Sequence, residues 1–424
     1  MKANSPKEVA SQPGSSTLTA GVAGSVKPSR GSAEMRYAIR DVLQAAQQAR
    51  EAGKRIIPLN IGDPLQFDFS TPVHIIEATY QAMLAGRNGY APSSGVGEAI
   101  EAIRDDAGRQ GIENIQDVFV TSGGSEAIEI ALASLLDPGD NLLIPSPGYP
   151  LYEAALAKFG CEGVPYYLQE SNGWQPDPDE MARSINGRTR GIVVINPNNP
   201  TGAVYSREVL SGILELVARH GLVAFSDEIY SKLVLDPIPA ISLASLAPEL
   251  PVVTFNGLSK AYLVPGFRIG WGILSGEGKN VADYQEAIGK MLRVRLCANH
   301  PQQFAIRPAL EADQGHIPPM IEKLRRRRDL IDSLLNSIPG ISCVRPQAAF
   351  YAFPRLEIAE TDHEFVTDLI RETGVVVVPG SGFGQQPGTN HFRMVFLPPE
   401  ETLRQALHSI GAFAKSRRSL GCRK

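Results

Sequence analysis

The sequence has few cysteines and no long apolar run, and each absence excludes a class of protein. Four cysteines are spread over 424 residues, so we expect neither a disulfide framework nor a cysteine cluster, which fits a reducing compartment. The seven histidines show no ligand spacing, so no metal site is predicted. No apolar run approaches the about 20 residues that a membrane span needs, so no membrane partner is expected.

A strong excess of one sign of charge is missing too. The formal net charge is −4, which gives no electrostatic footprint for nucleic acid. Residues 1–30 are rich in Ser, Gly, Pro and Ala without periodicity, which predicts a disordered tail. They contain no apolar signal-peptide core, so a cytoplasmic location is expected. Their scarcity of acidic residues also fits an organelle-targeting segment.

What the sequence does have is alternation. From about residue 115, helical patterns separate short apolar runs at 118–120, 142–144, 192–195, 222–225 and 252–253. Continuous apolar runs are typical of strands buried on both faces, and residues 125–136 between two of them place apolar side chains on one helical stripe. The alternation predicts an α/β fold with a mostly parallel, doubly wound sheet.

The length of the chain favours two cores. We predict a disordered tail (1–30), an N-terminal arm that packs with the small domain (31–64), a large domain (65–315), a small α+β domain (316–415) and a basic tail (416–424). The small domain would begin with a helix at 320–335. Its arginine run at 325–328 is expected to be a solvated face, because acidic neighbours offset it.

Polar residues follow the predicted strands directly, where open α/β sheets bind ligands. Lys260 is the most informative of them: it comes shortly after the apolar run at 252–255, and Arg268 lies eight residues further on. A lysine at the mouth of a sheet with a cation nearby can form an imine with a phosphate-bearing aldehyde. Taken alone, Lys260 would instead be read as an ordinary surface lysine.

Two further segments lie at predicted strand ends. Gly123, Gly124 and Ser125 join a strand to a helix, where free N–H groups and the helix dipole bind anions such as phosphate. A plain strand-to-helix turn would look similar. The Asn/Pro series at 196–202 is too dense for a simple turn, and would hold the amide of Asn199 rigidly over a site.

Two charged residues complete the pattern. Asp227 ends an apolar strand, where a buried carboxylate needs a cationic partner such as a protonated ring nitrogen, and Tyr230 could reach the same ligand. Arg393 interrupts another apolar strand, and a guanidinium pairs bidentately with a planar carboxylate. For each, a structural ion pair within the protein is the alternative.

Together these motifs resemble the class I and II aminotransferases, the fold-type-I family of pyridoxal-phosphate (PLP) enzymes, over about residues 35–415 and in the family's order. The segments 256–260, 196–202 and 392–398 are most similar to the bacterial and archaeal alanine-aminotransferase branch. The resemblance implies a large domain with a mostly parallel sheet, PLP as cofactor, and ping-pong transfer of an amino group from an L-amino acid to a 2-oxo acid. L-Alanine and 2-oxoglutarate are the first choice.

The resemblance also implies cofactor contacts. Lys260 would bind the cofactor aldehyde and shuttle the substrate proton. Arg268 would hold the phosphate, together with the backbone of Gly123, Gly124 and Ser125. Gly257 departs from the family, because many relatives carry a phosphate-binding Ser or Thr there, and this puts one phosphate contact in doubt.

Contacts to the ring follow in the same way. Asp227 would pair with the ring nitrogen, Tyr230 and Asn199 would bind the ring oxygen, and Tyr149 would stack on the ring. Tyr90 resembles a family tyrosine that reaches the phosphate of the neighbouring subunit. A homodimer with shared sites is therefore expected.

For the substrate, the resemblance implies that Arg393 binds the α-carboxylate, with Asn199 and the backbone of Gly62. Tyr37 and Arg40 resemble an N-terminal element that caps the site, with helix surface as the alternative. Arg293 or Arg295 could meet a second carboxylate.

The same cofactor residues occur in aspartate and aromatic aminotransferases, decarboxylases and C–S lyases, so these remain alternatives. A non-catalytic PLP-binding effector domain is a further one. The first 35 residues are too short and too polar for the helix-turn-helix module that such effectors carry.

Overall fold

The computed structural model describes residues 26–29, 31–32 and 42–421. Its strands divide between one large sheet and several short pairings. They are β1 (Ile57–Pro58), β2 (Ile115–Thr121), β3 (Asn141–Ser146), β4 (Glu162–Tyr167), β5 (Thr189–Ile195), β6 (Val223–Asp227), β7 (Val252–Gly257), β8 (Gly270–Ser275), β9 (Ile341–Ser342), β10 (Tyr351–Ala352), β11 (Arg355–Leu356), β12 (Val375–Val376), β13 (Val378–Pro379) and β14 (Phe392–Val395).

The helices of the described residues alternate with these strands. They are α1 (Leu43–Glu51), α2 (Val73–Leu84), α3 (Gly97–Arg109), α4 (Gly124–Ala133), α5 (Leu151–Phe159), α6 (Pro178–Ser184), α7 (Arg207–His220), α8 (Gly278–Val294), α9 (His300–Gln303), α10 (Ile306–Glu311), α11 (Ile317–Asn336), α12 (Asp362–Thr373) and α13 (Glu400–Gly421). The predicted helix at 125–136 is α4, which ends three residues earlier than expected.

The large sheet has seven strands in the order β2-β8-β7-β6-β5-β3-β4. Only β8 runs antiparallel to its neighbours β2 and β7, while β4, β3, β5, β6 and β7 are parallel. The predicted α/β fold with a mostly parallel sheet is confirmed. Since β8 is antiparallel, its amino end lies at the same edge as the carboxyl ends of the other strands.

The core explains why the strands are continuous apolar runs. Alternate residues of each strand belong to two separate apolar clusters, one on each face of the sheet. One cluster contains Val118, Val120, Ile192, Val194, Ala224 and Val252. The other contains Phe119, Val193, Ile195, Phe225 and Val253.

The N-terminal segment lies against the C-terminal third of the chain. β1 pairs in parallel with β12, and α1 contacts α12. Leu59 continues this arrangement, because its N–H donates to Val376 O and its carbonyl accepts from Val395 N. A three-stranded antiparallel sheet, β10-β14-β13, completes this region. The domain boundaries given above stay a prediction.

The expectation for the arginine run was wrong for two of its four members. Arg327 and Arg328 are 1% and 0% exposed within α11. Arg327 binds both carboxylate oxygens of Asp68, at 2.8 and 2.7 Å, and Arg328 pairs with Asp236 at 3.0 Å. The acidic neighbours along the sequence gave no sign of these distant partners.

The segment at 416–424 also differs from expectation, because α13 continues through Gly421. Arg417 lies within this helix and pairs with Asp368 of α12. Residues 422–424 lie outside the described part of the chain. None of the helices in the described ranges combines the length and apolar composition that a membrane-spanning helix requires.

Candidate active site

The sheet brings the predicted residues to one edge. β2 ends at Thr121 just before the Gly123–Ser125 turn, β5 ends before Asn196, and β6 ends at Asp227. Lys260 follows β7 by three residues, and Arg268 precedes β8 by two. Because these strands are neighbours in one sheet, residues as distant in sequence as Gly123 and Arg268 lie around one opening.

This opening is a cleft of about 510 Å³. It extends from the sheet edge to residues of the C-terminal region. Ten of the predicted residues line it: Gly62, Gly124, Ser125, Tyr149, Asn199, Asp227, Tyr230, Lys260, Arg268 and Arg393. These ten cofactor and substrate residues therefore meet in a single cavity.

Lys260 lies between the two halves of the cleft. Its Nζ donates to Gly62 O at 2.9 Å, and it lies 6.0 Å from the ring centroid of Tyr230 and 5.7 Å from that of Phe350. The amine is thus held in place by one main-chain carbonyl and two aromatic faces, inside the cleft and away from any carboxylate salt bridge in the described residues.

The glycine turn and Arg268 form one surface. Gly123 has φ +86, and a Cβ at this position would clash with the guanidinium of Arg268. Arg268 itself has φ 51, a left-handed conformation that a non-glycine residue adopts at some cost and that is frequent at functional sites. The close approach leaves the N–H groups at the start of α4 beside a cation, as an anion site requires.

Gly257 is explained by its backbone neighbours. A Cβ there would lie 2.8 Å from Ile269 O and 3.0 Å from the Cα of Gly270. A serine or threonine would therefore require the β7–β8 pair to move apart. Ser259, two residues on, is a cleft residue that carries a hydroxyl, and the sequence motifs did not single it out.

Asp227 is the buried acid of the cleft. It accepts from Tyr152 Oη at 3.2 Å and from Ile229 N at 3.3 Å. Burial raises the pKa of Asp227 to about 6, although these hydrogen bonds and the charge of Lys260 oppose the rise. Among its described contacts it lacks a salt-bridge partner within 4 Å, so it presents an uncompensated carboxylate to the cleft.

Arg393 lies at the other side, 1% exposed. It donates to Asn199 Oδ1 at 3.4 Å and to Asn60 O. Its guanidinium carbon is 4.7 Å from the ring centroid of Tyr351 and 4.6 Å from that of Phe383. Two rings and two oxygens therefore fix the plane of the guanidinium, which faces the cleft.

Tyr351 was not predicted as a site residue. It lines the cleft, and its hydroxyl lies 2.8 Å from that of Tyr230. The apolar residues at 350–353 are typical of a strand, and alternation alone gives the side on which a strand residue points, not the residue it meets. The aromatic pair at 350–351 was the one available signal.

The other predicted residues are not among the described residues that line the cleft. Tyr90 is 84% exposed and does not contact the cleft of its own chain. Tyr37 and Arg40 lie outside the described residues. Neither Arg293 nor Arg295 lines the cleft, and Arg295 donates to Ser93 O and Val120 O. Arg295 thus has a structural role within the chain.

Comparison with known proteins decides the family. A family model described as aminotransferase class I and II matches residues 54–410. The chain belongs to this family. The match includes every residue that lines the cleft except Leu43, and it confirms both the expected resemblance and an aminotransferase enzyme.

Relatives of this aminotransferase span nearly its whole length. It is 40% identical over 387 residues to glutamate-pyruvate aminotransferase AlaA from Escherichia coli strain K12, with 89% of this chain and 95% of that protein covered. It is 41% identical to alanine aminotransferase from Mycobacterium tuberculosis strain H37Rv, covering 90% and 91%. Alanine aminotransferase from Pyrococcus furiosus superimposes with a TM-score of 0.89 at 40% identity, over 92% and 100% of the two chains.

As a member of the family, this aminotransferase uses pyridoxal 5′-phosphate. The cleft fits that group. The Gly123–Arg268 surface suits a phosphate, the uncompensated carboxylate of Asp227 suits a protonated ring nitrogen, and the amine of Lys260 between them suits an aldehyde. Its substrates are amino acids and 2-oxo acids.

Proposed function

We propose that this aminotransferase exchanges the α-amino group between L-alanine and 2-oxoglutarate. The proposal rests on which cationic side chains line the cleft. Among the described residues that line it, the cations are Lys260, Arg268 and Arg393. One cation would serve the aldehyde, one the phosphate and one the α-carboxylate, so the described part of the cleft lining offers no further cation for a substrate side chain. That favours a small, uncharged side chain such as that of alanine for one of the two substrates, whereas the choice of glutamate and 2-oxoglutarate as the other pair rests on the name of a relative.

The names of the relatives support the same pair. Glutamate and pyruvate are the reactants that the Escherichia coli relative's name gives, and their exchange yields alanine and 2-oxoglutarate. The relatives from Mycobacterium tuberculosis and Pyrococcus furiosus are named for alanine.

The position of these residues in the cleft lining supports the proposed cofactor contacts. Arg268 and the N–H groups of Gly124 and Ser125 would hold the phosphate, Tyr149 would stack on the ring, and Asp227 would keep the ring nitrogen protonated. Tyr230 and Asn199 would bind the ring oxygen. When bound, the cofactor withdraws electrons from the substrate Cα, which acidifies its proton.

Lys260 and Arg393 would have separate roles toward the substrate. Arg393 binds the α-carboxylate bidentately, with its plane already fixed by Tyr351 and Phe383. Lys260 Nζ, held beside Gly62 O, takes the Cα proton as a general base. By holding the α-carboxylate, Arg393 would also restrict the orientation of the Cα–H bond relative to the amine.

We also propose a homodimer with shared sites. Helix α2 exposes an apolar stripe with helical spacing, which consists of Val73, Ile76, Tyr80, Met83 and Leu84 at 40–65% exposure. The neighbouring Tyr90 is 84% exposed. A second copy of the chain would cover the stripe and place Tyr90 at the phosphate of the partner's site. A cytoplasmic location stays a prediction.

The proposal is tested with the PLP-loaded protein and a panel of twenty L-amino acids. We expect the visible absorption band of the bound cofactor to decrease fastest with L-alanine and L-glutamate. These rates should exceed those of other amino acids by about tenfold or more, since pockets discriminate one methylene by about 10–200-fold. Each should transfer its amino group stoichiometrically to a 2-oxo acid. Lys260→Ala should show neither the band nor the transfer.

Other outcomes point elsewhere. A faster reaction with L-aspartate or an aromatic amino acid would contradict the alanine assignment. Release of CO₂ or sulfide without a 2-oxo acid would indicate a decarboxylase or a C–S lyase.

A further inference from the structure

We propose that Tyr351 is a positioning residue with two separable roles: its ring fixes the carboxylate clamp Arg393, and its hydroxyl sets the hydrogen bond of Tyr230. The inference rests on the proposed roles of Tyr230 and Arg393. Tyr351 lies on β10, in the C-terminal region, whereas Tyr230 follows β6 of the large sheet. The residue therefore joins the two sides of the cleft.

The ring of Tyr351 is one of two aromatic rings beside Arg393. The guanidinium carbon of Arg393 lies over this ring and over that of Phe383, 4.7 and 4.6 Å from the two centroids. Both rings are 3% exposed, so the cation–π attraction acts away from water, where it is strongest. Each ring limits the tilt of the guanidinium, and bidentate binding of a carboxylate depends on that plane.

The hydroxyl of Tyr351 has one buried partner, the hydroxyl of Tyr230 at 2.8 Å. A phenol has one proton to donate. If Tyr230 gives its proton to the ring oxygen of the cofactor, it must accept the proton of Tyr351. The two hydroxyls then form a donor chain, in which the outer hydrogen bond polarises and strengthens the inner one.

The hydroxyl of Tyr351 also leaves no space for a side chain at position 62. A Cβ at Gly62 would clash with Tyr351 Oη, and Gly62 O accepts from Lys260 Nζ. Tyr351 thus packs against the peptide that holds the amine, which explains why this position carries glycine although its φ does not require one.

The two roles of Tyr351 affect different measurements: the hydroxyl affects the pH midpoint of the visible absorption change, and the ring affects carboxylate binding. A hydrogen-bond donor at the ring oxygen stabilises the negative charge that remains when the nitrogen joining Lys260 to the cofactor loses its proton. A weaker donor favours the protonated form, so the pH midpoint of the visible absorption change moves up. Loss of a ring beside Arg393 leaves that midpoint unchanged and weakens carboxylate binding.

The experiment compares Tyr351→Phe with Phe383→Leu in the PLP-loaded protein. We expect Tyr351→Phe to raise the midpoint by about 0.5–1 pH unit, with the KM for L-alanine within about twofold of the parent. Phe383→Leu should raise that KM about tenfold, and the dissociation constant of a monocarboxylate inhibitor similarly, with the midpoint unchanged.

Tyr284→Phe is the control. It removes a phenol that donates to Ala131 O away from the cleft, and it should change neither the midpoint nor the KM.

A third variant shows whether the hydroxyl acts through Tyr230. Tyr230→Phe should raise the midpoint by itself, and adding Tyr351→Phe should raise it no further. Equal shifts in the presence and absence of the Tyr230 hydroxyl would overturn the proposed donor chain. So would an unchanged midpoint in Tyr351→Phe when Tyr230→Phe shifts it. An unchanged midpoint in Tyr230→Phe would instead reject the role of Tyr230 itself. The alanine assignment depends on neither result, because the amino-acid panel tests it separately.

Discussion

Two adjacent carboxylic acids, Asp227 at the end of strand β6 and Glu228 directly after it, have different hydrogen-bond partners and therefore different roles. Glu228 is 2% exposed and accepts from Ser226 Oγ, Ser242 Oγ and Leu243 N at 2.8–3.0 Å. Those donors satisfy it within the protein. Asp227 has one phenol and one amide, and it opens on the cleft. Burial raises the pKa of both, to about 6 for Asp227 and about 7 for Glu228.

The raised pKa of Asp227 predicts how stability depends on pH in the apoprotein. The folded chain binds more protons than the unfolded chain between about pH 4 and pH 6, so this group lowers the free energy of unfolding as pH rises through that window. Asp227→Asn should therefore stabilise the apoprotein at pH 8 by about 3 kcal/mol and have little effect at pH 4. Urea unfolding at both pH values measures this.

The cofactor should reverse the sign of that effect. With PLP bound, Asp227 gains a cationic partner, so Asp227→Asn should lower cofactor affinity. Asp105→Asn, at an exposed position of α3, serves as the control. A stabilisation of equal size in both states would contradict the proposed pairing with the ring nitrogen.

At the scale of the element, helix α11 shows how one stretch of like residues divides by helical position. Arg325 and Arg326 have side chains that are 42% and 58% exposed. The side chains of Arg327 and Arg328 face inward and are 2% and 0% exposed. Arg327 also donates to Leu397 O, so it ties the segment before α2, through Asp68, to the chain just after β14.

That position predicts a large difference between neighbours. Arg327→Met should cost about 2–3 kcal/mol, less than the about 3–5 kcal/mol of a fully buried pair because Asp68 is half exposed. Arg326→Met, one residue away, should change stability by less than about 0.5 kcal/mol. Denaturant midpoints of the two variants check this, and equal midpoints would mean that the Asp68 pair contributes nothing.

At the scale of the whole molecule, the exposed stripe on α2 and the exposed Tyr90 support the proposed homodimer. Aromatic and aliphatic side chains cluster there within one helix and the loop that follows it. Patches of this kind mark association surfaces.

A charged residue introduced into the apolar stripe on α2 should dissociate the proposed dimer. Leu84 is 65% exposed, so Leu84→Glu should leave the fold of one chain intact and shift the protein from dimer to monomer in sedimentation. Aminotransferase activity should fall with it, since Tyr90 no longer reaches the partner's phosphate. Lys279→Glu changes an exposed charge on another helix and should leave both unchanged. An active monomer would contradict shared sites.

The sequence was sufficient for those parts of the site that depend on strand ends. Gly123, Asp227, Lys260 and Arg268 could be assigned to one site because parallel strands deliver their carboxyl ends to a common edge. Tyr351, Ser259 and the buried arginines could not. Their partners lie far away in sequence, and a period-two or period-3.6 pattern gives the direction of a side chain without its distant neighbour.

The sequence by itself determined the strand and helix types, the family and the cation–carboxylate set of the cleft, because local periodicity and strand-end motifs carry that information. The tertiary structure decided which apolar faces meet, why Gly62 and Gly257 have no room for a side chain, and which arginines of α11 are buried. It also decided that Tyr351 joins Tyr230 to Arg393. These are contacts between segments brought together only by folding, and packing density, not sequence spacing, sets them.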